Sequence, residues 1–189
     1  MEKTASERSS KLPLITMALI GVMTAVTCIL GPLAIPLPIS PVPISFTNLA
    51  VYLTLYVLGM KAGTISYLVY LLIGLVGAPV FSGFTGGPAK LVGPTGGYLV
   101  GFIFMALIAG FFIDKFPNKY YLHIIGMVLG TAVCYLFGTV WLCFQMELSF
   151  GAGLMTGVVP YLPGDAAKII ISVILGPALR HGVTQVKSR

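Results

Sequence analysis

The sequence predicts an all-α integral membrane protein with six transmembrane helices. Of its 189 residues, 57% are hydrophobic and only 8% are charged, and the mean hydropathy is +1.00. Soluble domains carry about a quarter charged residues, so this chain has too few charges to cover a water-facing surface. At roughly 20 residues per membrane-spanning helix, six crossings and their loops nearly exhaust the chain.

Six apolar runs divide the chain, and several are short enough to require tilted or short helices around a cavity. In chain order they cover residues 12–30, 44–60, 62–76, 97–113, 120–144 and 164–179. We expect residues 12–180 to form one six-helix transmembrane domain. The segments 1–11 and 181–189, which precede and follow this domain in the sequence, are expected to be polar tails.

The first three helices follow from continuous apolar stretches and the breaks between them. The first run begins after a polar segment that ends at Lys11. A loop at residues 35–43 holds four prolines and cannot be helical throughout, so the second helix begins after it. Only a tight turn at Met60 and Lys61 separates the second helix from the third.

The last three helices are bounded by glycine, proline and charge. A Gly- and Pro-rich segment, residues 83–97, precedes the fourth, and a six-residue connection, residues 114–119, precedes the fifth. A further Gly- and Pro-bearing segment, residues 147–163, leads to the sixth. The longer connections all lie on one face of the predicted bundle, and elaborate loops mark the working face of a scaffold.

The basic residues predict the orientation. With six spans both termini lie on one side, and nine basic residues fall on that side: Lys3, Arg8, Lys11, Lys61, Lys115, Lys119, Arg180, Lys187 and Arg189. The opposite loops hold only Lys90, beside the acidic Glu147, while Lys168 lies inside a span. The positive-inside rule therefore places both termini in the cytoplasm and the longer loops outside. The formal net charge of +6 is thus explained by topology, and no nucleic-acid partner is expected.

Asp165 and Lys168 are the sharpest candidates for a binding site. They lie three residues apart at the start of the sixth helix, after Pro163 and Gly164, and so share one helix face. Ionisable groups inside a span usually face a partner or a polar cavity. As an alternative, Asp165 could cap the helix while Lys168 extends to the interface. An acceptor and a donor side by side favour a small solute.

The segment Gly93-Pro-Thr-Gly-Gly-Tyr98 is the second candidate. Its glycines let the backbone approach a ligand closely, and Thr95, Gly97 and Tyr98 add helix-start amides, hydroxyls and a ring. A glycine-rich turn between two helices is an equally common explanation. No Gly-Lys-Ser/Thr follows, so this is not a phosphate loop.

Three further polar residues follow the proline-rich loop, and a few small residues mark the first helix. Ser45, Thr47 and Asn48 could bind a solute or cap the second helix. Lone Lys90 could attract an anion or be solvated. Small residues that permit close helix approach lie along one face of the first helix, for a partner helix or for internal packing: Ala18, Gly21 and Ala25.

The sequence offers no catalytic, metal or cofactor motif. His123 and His181 have no acidic or cysteine residues nearby, and HExxH, GxSxG and P-loop patterns are absent. The three cysteines lie inside apolar runs without a CxxC pair. An ATP-driven transporter would therefore need its energy from another chain.

Four motifs together resemble a known family: the biotin-specific substrate-binding subunits, or S components, of energy-coupling-factor (ECF) transporters, called the BioY family. The similarity covers about residues 18–180. The motifs are P-V-P-I-S-F-T-N-L at 41–49, G-A-P-V-F-S-G at 77–83, G-P-T-G-G-Y-L-V-G-F at 93–102 and V-V-P-Y-L-P-G-D-A-A-K at 158–168.

The resemblance implies a non-catalytic subunit of a prokaryotic plasma-membrane vitamin transporter. Its partners would be a transmembrane coupling subunit and two cytoplasmic ATPase subunits. The biotin site would lie near the outside, at Thr47, Asn48, Thr95, Gly97, Tyr98, Asp165 and Lys168. Asp165 could accept from the ureido N–H groups, and Lys168 could donate to the ureido carbonyl. The coupling surface would involve Ala18, Gly21 and Ala25.

The chain departs from the family pattern at two places. Ser45-Phe46-Thr47-Asn48 stands where members more often carry Thr-Leu-Gln-Thr, and the first helix pairs Gly21 with Ala25 where an Ala-xxx-Ala surface is typical.

Other hypotheses are an S component for another small vitamin, a membrane-embedded lipid enzyme and a channel. A lipid enzyme would need a catalytic set that the sequence lacks, and loops gathered on one face favour an occluded site over a channel.

Overall fold

The computed structural model describes residues 14–38 and 40–187 and, within them, a mostly helical protein. Lys3, Arg8, Lys11 and Arg189 of the predicted tails lie outside these residues. The elements in chain order are α1 (Leu14–Leu30), β1 (Ala34–Leu37), β2 (Ser40–Ser45), α2 (Thr47–Leu75), α3 (Pro88–Val92), α4 (Gly96–Lys115), α5 (Tyr120–Met146), α6 (Phe150–Gly157), a 3₁₀ turn (Val159–Tyr161) and α7 (Leu162–Lys187).

Within residues 14–38 and 40–187, four helical segments are long and apolar enough to cross a membrane. They are Thr47–Leu75, Gly96–Lys115, Tyr120–Met146 and Phe150–Gln185, the last of which joins α6, the 3₁₀ turn and α7. The apolar helix α1 has 17 residues, fewer than a typical span. Large apolar side chains are exposed along α4, α5 and α7, as expected of a membrane protein.

The proline-rich segment is not a plain loop, and the expectation of an all-α fold is wrong at this point. β1 and β2 form an antiparallel hairpin in which Ala34 pairs with Ser45 and Ile35 with Ile44. Proline lacks the backbone donor of a central strand but is tolerated on an edge. With only two strands, each prolyl residue can point its missing donor away from the partner strand.

α2 reverses direction at Gly59, close to the turn expected at Met60 and Lys61. Gly59 has φ 79° and ψ −180°, outside the helical region. A Cβ at Gly63 would lie 3.4 Å from the Cα of Leu55. Residues eight apart in a straight helix are separated by about 12 Å, so the two arms of α2 must run antiparallel. α2 therefore consists of two antiparallel helical arms that meet at Gly59, where the sequence predicted two separate helices.

The reversal is held by a contact with the end of α4. The Asp114 carboxylate accepts the Met60 N–H at 2.7 Å and lies 3.4 Å from Arg180 of α7. A Cβ on Gly59 would lie 2.8 Å from Asp114 Oδ2. Glycine is therefore required at this position both by its positive φ and by the approach of the carboxylate.

We expect Gly59→Ala to destabilise the protein by about 2 kcal/mol, because a side chain at this φ is strained and would displace Asp114. Thermal unfolding of the detergent-purified protein measures the effect as a lower midpoint. Gly182→Ala is the matched control, since its Cβ would meet no atom within 4 Å and alanine favours a helix. Equal midpoints for both variants would contradict the role of Gly59.

The interior is built from buried tyrosines and close helix contacts. Tyr52, Tyr67 and Tyr70 are almost fully buried, and the hydroxyls of Tyr67 and Tyr70 donate to the carbonyls of Leu99 and Val80. Small residues let α4 and α5 approach closely, and a Cβ on α4's Gly101 would lie 3.0 Å from the α5 backbone. Satisfied hydroxyls make such polar side chains tolerable in an apolar interior.

One helix end differs from the expected position, and two short helices were not expected. α7 passes through Pro177 and continues to Lys187, so the start of the expected C-terminal tail is helical. The segments expected as loops contain the short helices α3 and α6. The other ends lie within a few residues of the predictions. A proline inside a long helix removes one hydrogen bond, and here the helix continues for ten residues beyond it.

Candidate functional site

A cavity lies at the end of the molecule that carries the hairpin. It is enclosed by β2 and the start of α2, the start of α4, the middle of α5 and the start of α7, and its volume is about 70 Å³. Its lining is Val42, Pro43, Ser45, Thr47, Asn48, Ser82, Thr95, Tyr98, Leu99, Phe102, Met105, Thr131, Cys134, Tyr135, Gly157, Tyr161, Asp165 and Lys168. Most of these groups are apolar or aromatic, with polar side chains on the α2, α5 and α7 sides.

Asp165 is the centre of the polar side. Its Oδ1 accepts from the Asn48 amide at 2.8 Å and from Lys168 Nζ at 2.9 Å. Its Oδ2 accepts from the Tyr135 hydroxyl at 2.5 Å. One carboxylate therefore joins α2, α5 and α7, three elements far apart in sequence.

Lys168 is held inside the protein. It is 6% exposed, pairs with Asp165, donates to the Ser45 carbonyl at 2.6 Å and lies 5.8 Å from the centre of the Phe46 ring. The alternative in which Lys168 extends to the interface is therefore wrong. Asp165 does lie in the first turn of α7, where its charge complements the helix dipole, and its side chain also binds three side chains.

The hairpin forms one wall of the cavity and is fastened to the start of α7. The Tyr161 hydroxyl contacts the Ser40 hydroxyl at 2.7 Å and donates to the Val42 carbonyl. At the other end of the hairpin, Ser45 accepts the Thr47 N–H at 3.0 Å, which fixes the passage from strand to helix. These contacts bring two sequence motifs, residues 41–49 and 158–168, to one place.

Thr47 and Asn48 line the cavity, and the structure separates their two suggested roles. The residue preceding α2, Phe46, makes no side-chain cap, while Ser45 binds the first amide of the helix. Asn48 accepts the neighbouring Leu49 N–H and donates to Asp165. Asn48 is therefore part of the polar network around the cavity, and Ser45 acts on the helix start.

Some residues of the glycine-rich segment line the cavity, and others pack against α5. Thr95 and Tyr98 line the cavity, and the Tyr98 hydroxyl donates to the Gly157 carbonyl at 2.9 Å. Gly97 is not among the lining residues. Its Cα faces Phe137 and Trp141 of α5, where a Cβ would lie 2.7 Å from the Phe137 carbonyl oxygen. Close helix packing is thus sufficient to require glycine there, and a ligand contact for Gly97 stays a prediction.

Sequence reasoning missed the contribution of α5. Thr131 and Tyr135 lie four residues apart on one helix face, and both line the cavity. A polar pair at this spacing inside an apolar run is a signal that could have indicated an inward-facing polar face. Tyr161 was also missed, although it stands inside the motif that carries Asp165.

Two other groups of candidates lie away from the cavity. Lys90 is half-buried on α3, where burial lowers the pKa of its ammonium group, and it is not a lining residue. Ala18, Gly21 and Ala25 are exposed on α1, and a Cβ on Gly21 would meet no atom within 4 Å. Internal packing therefore does not explain these small residues, and a partner surface remains the prediction.

The unused hydrogen-bonding capacity defines what the cavity can bind. A carboxylate offers about four lone-pair positions, and three at Asp165 are taken, which leaves one at Oδ2. Lys168 has used two of its three N–H donors. Asn48 has one amide hydrogen beyond its bond to Asp165. Around Asp165 a ligand meets one acceptor and two donors, and hydroxyl groups such as those of Thr47 and Thr95 also line this largely apolar cavity.

Comparisons with known proteins agree on one family. A family model described as the BioY family matches residues 2–185. A biotin transporter BioY of Lactococcus lactis subsp. cremoris (strain MG1363) is 36% identical over 164 residues, covering 84% of this chain and 86% of that protein. A biotin transporter BioY of Thermotoga maritima is 34% identical over 160 residues, covering 85% and 92%.

A solved structure agrees with these sequence relatives. The crystal structure of the S-component for biotin from an ECF-type ABC transporter superposes with a TM-score of 0.81. The two chains are 34% identical, and the match covers 88% of this chain and 90% of that one. The similarity therefore extends over nearly the whole chain.

Proposed function

The chain belongs to the BioY family, and we propose that it is the substrate-binding subunit of a vitamin transporter, with biotin as its ligand. The observation that carries the proposal is the buried Asp165–Lys168 pair at 2.9 Å inside a cavity walled by apolar and aromatic groups. A buried ion pair is weak support for stability alone, so its retention at a cavity favours a role in binding.

Biotin matches the hydrogen-bonding capacity that remains in the cavity. Its ureido ring carries two N–H donors and one carbonyl acceptor, and its bicyclic body and valeryl chain are largely apolar. We infer that Asp165 Oδ2 accepts one ureido N–H and that Lys168, with Asn48 beside it, donates to the ureido carbonyl. Since Asp165 has only one free position, the second N–H needs another acceptor, for which the Thr47 and Thr95 hydroxyls are candidates.

The cavity must widen to hold such a ligand. Pockets for drug-sized ligands occupy about 300–1,000 Å³, whereas this one measures about 70 Å³. The hairpin is the wall with the fewest helical contacts, and the Tyr161 hydroxyl fastens it to the 3₁₀ turn before α7. We expect the hairpin to move outward on binding and to close again over the ligand.

We further propose six crossings with both termini in the cytoplasm. The reversal at Gly59 supports counting α2 as two crossings, which with α1, α4, α5 and α7 gives six. The basic residues Lys61, Lys115, Lys119 and Arg180 then lie at one end, opposite the hairpin. In this arrangement the chain captures biotin from outside in a prokaryotic plasma membrane.

The chain is proposed to work as a non-catalytic subunit. A transmembrane coupling subunit and two cytoplasmic ATPase subunits would supply the energy, and the exposed small residues of α1 offer a surface for the coupling subunit. Close approach of two helices inside lipid requires such small residues. The domain for substrate binding would span residues 12–180, with short cytoplasmic segments at either end.

Mass spectrometry of the gently purified protein tests the function directly by identifying the ligand that it retains. We expect biotin, and unlabelled biotin should displace labelled biotin at a lower concentration than any other vitamin in a competition panel. Displacement by another vitamin at lower concentration would assign the site to that ligand. Retention of no small molecule, together with no binding of labelled biotin, would refute the proposed function.

Tyr135→Phe is expected to weaken biotin binding by about tenfold, because it removes the hydroxyl that orients Asp165 at 2.5 Å. Equilibrium binding to the purified variant measures this. Tyr67→Phe is the matched control: it also loses a buried hydroxyl, but that hydroxyl binds the Leu99 carbonyl and Tyr67 does not line the cavity. A similar loss of affinity in both variants would show a general structural effect.

A further inference from the structure

A second, polar cavity lies at the opposite end of the molecule, between the start of α5 and the end of α7. Its volume is about 270 Å³, and its lining includes Asn118, Tyr120, Arg180, His181 and Thr184. The exposed side chains Lys115 and Lys119 are on the same end, where Asp114 is already bound to Arg180 and the Met60 amide. The surroundings are therefore basic.

Arg180 retains donors for a ligand. Its Nη1 donates to the Ile113 carbonyl at 3.1 Å and its Nη2 lies 3.4 Å from Asp114. A guanidinium has five N–H donors, so three remain. Its side chain is 36% exposed, which leaves these donors accessible from the cavity. Planar guanidinium groups are well suited to phosphate oxygens.

A separate apolar groove lies between the same two helices, closer to the middle of the protein, with residues 171–176 of α7 between the two linings. Its volume is about 330 Å³, and Ile124 and Val128 of α5 face Ile169 and Ile170 of α7 across it. α7 packs mainly on α2 and touches α5 only lightly, which leaves the groove open. From Ile124 to Tyr135 it extends about 16 Å, roughly half of the hydrocarbon thickness of a bilayer.

The far end of this groove is polar. Thr131, Tyr135 and Asp165 line both the groove and the candidate biotin cavity. Each of these groups has a partner inside the protein: Thr131 contacts the Tyr52 hydroxyl at 2.5 Å, and the Tyr135 hydroxyl donates to Asp165. A molecule that fills the groove would therefore pack against the wall that the groove shares with the biotin cavity.

We propose that one anionic glycerophospholipid binds between α5 and α7, with its phosphate at Arg180 and His181 and one acyl chain in the apolar groove. Charge selects the occupant: the polar end is basic, and the apolar part matches the thickness of one leaflet. This site borders the proposed biotin cavity, with which the groove shares Thr131, Tyr135 and Asp165, and it goes beyond the proposed function. Its ligand is a structural lipid of the leaflet at the basic end.

Native mass spectrometry of the full-length protein tests the proposal. The protein is equilibrated with phosphatidylglycerol, with phosphatidylcholine of the same acyl chains, or with glycerol phosphate, and bound adducts are counted. We expect phosphatidylglycerol to be retained at least about fivefold better than phosphatidylcholine, and glycerol phosphate not to be retained. Equal retention of the two lipids, or equal binding of glycerol phosphate, would overturn the proposal.

Variants locate the two parts of the site. Arg180→Gln should weaken phosphatidylglycerol binding by about fivefold, and His181→Ala, which leaves the Arg180–Asp114 pair intact, by about threefold. Lys61→Gln is the control, since Lys61 is exposed at the same end but does not line the cavity. An equal loss with Lys61→Gln would reveal attraction by general surface charge and would overturn the site.

The groove has its own pair of variants. Val128→Trp should fill it and abolish retention of phosphatidylglycerol, whereas Leu129→Trp, equally exposed on α5 but outside the groove, should retain it. Unchanged retention in Val128→Trp would exclude the groove as the lipid site. Labelled biotin binding is measured in parallel, so loss of lipid binding with intact biotin binding separates this proposal from the proposed function.

Discussion

Asp165→Asn is expected to weaken biotin binding by at least about 100-fold, or about 2.7 kcal/mol. The substitution keeps the shape of the side chain but removes the charge that accepts from Asn48, Lys168 and Tyr135. It also leaves the ammonium group of Lys168, a residue that is 6% exposed, without its carboxylate. Equilibrium binding of labelled biotin to the purified variant measures the loss.

Glu147→Gln is the control for the charge itself. Glu147 lies at the end of α5 on the hairpin side and does not line the cavity, so its removal changes the charge of that face alone. We expect its affinity to stay within about twofold of the unchanged protein, since exposed charges separated from a site are screened. Full affinity in Asp165→Asn would contradict the assignment of Asp165 to the biotin site.

Lys168→Met should also weaken biotin binding by about 100-fold. Methionine has a similar length, so the expected loss comes from the donor that we propose for the ureido carbonyl and from the carboxylate of Asp165 left beside neutral groups. The substitution also removes the bond to the Ser45 carbonyl at 2.6 Å, which holds the hairpin next to α7. Lys61→Met, a lysine removed at the opposite end, should leave the affinity unchanged.

The double variant Asp165→Asn/Lys168→Met distinguishes a coupled pair from two independent contacts. Each single change leaves one buried charge without its partner, but the double change removes both charges. We therefore expect the double variant to lose less affinity than the sum of the single losses. Strict additivity would mean that the two residues contact the ligand independently of their ion pair.

Much of the helical framework could be predicted because the signal is local. A long apolar run is a helix wherever it lies in a bilayer, since the backbone must satisfy its own hydrogen bonds. The break between the second and third helices was predicted at Met60 and Lys61, one residue from the positive φ of Gly59. The hairpin was not predicted, because four prolines obscure the strand pattern and the pairing of Ala34 with Ser45 joins residues eleven apart.

Most of the residues that the sequence motifs singled out line the cavity. Asp165, Lys168, Asn48, Thr47, Thr95 and Tyr98 line the cavity, while Gly97 does not. Tyr135 was missed because it stands in an ordinary apolar helix, and its role depends on where α5 packs. The side-chain partner of Asn48 is 117 residues away, a distance that local patterns do not reach.

The sequence by itself determined that this is an apolar, helical membrane protein with a costly Asp165–Lys168 pair at the start of its last helix. Composition and helical spacing are local properties, and they sufficed for this. Only the tertiary structure decided the environment of that pair. It brought Asn48 and Tyr135 to the carboxylate, folded the hairpin against Tyr161, and packed Gly97 against α5. These outcomes depend on contacts between distant segments, whose geometry is fixed by packing.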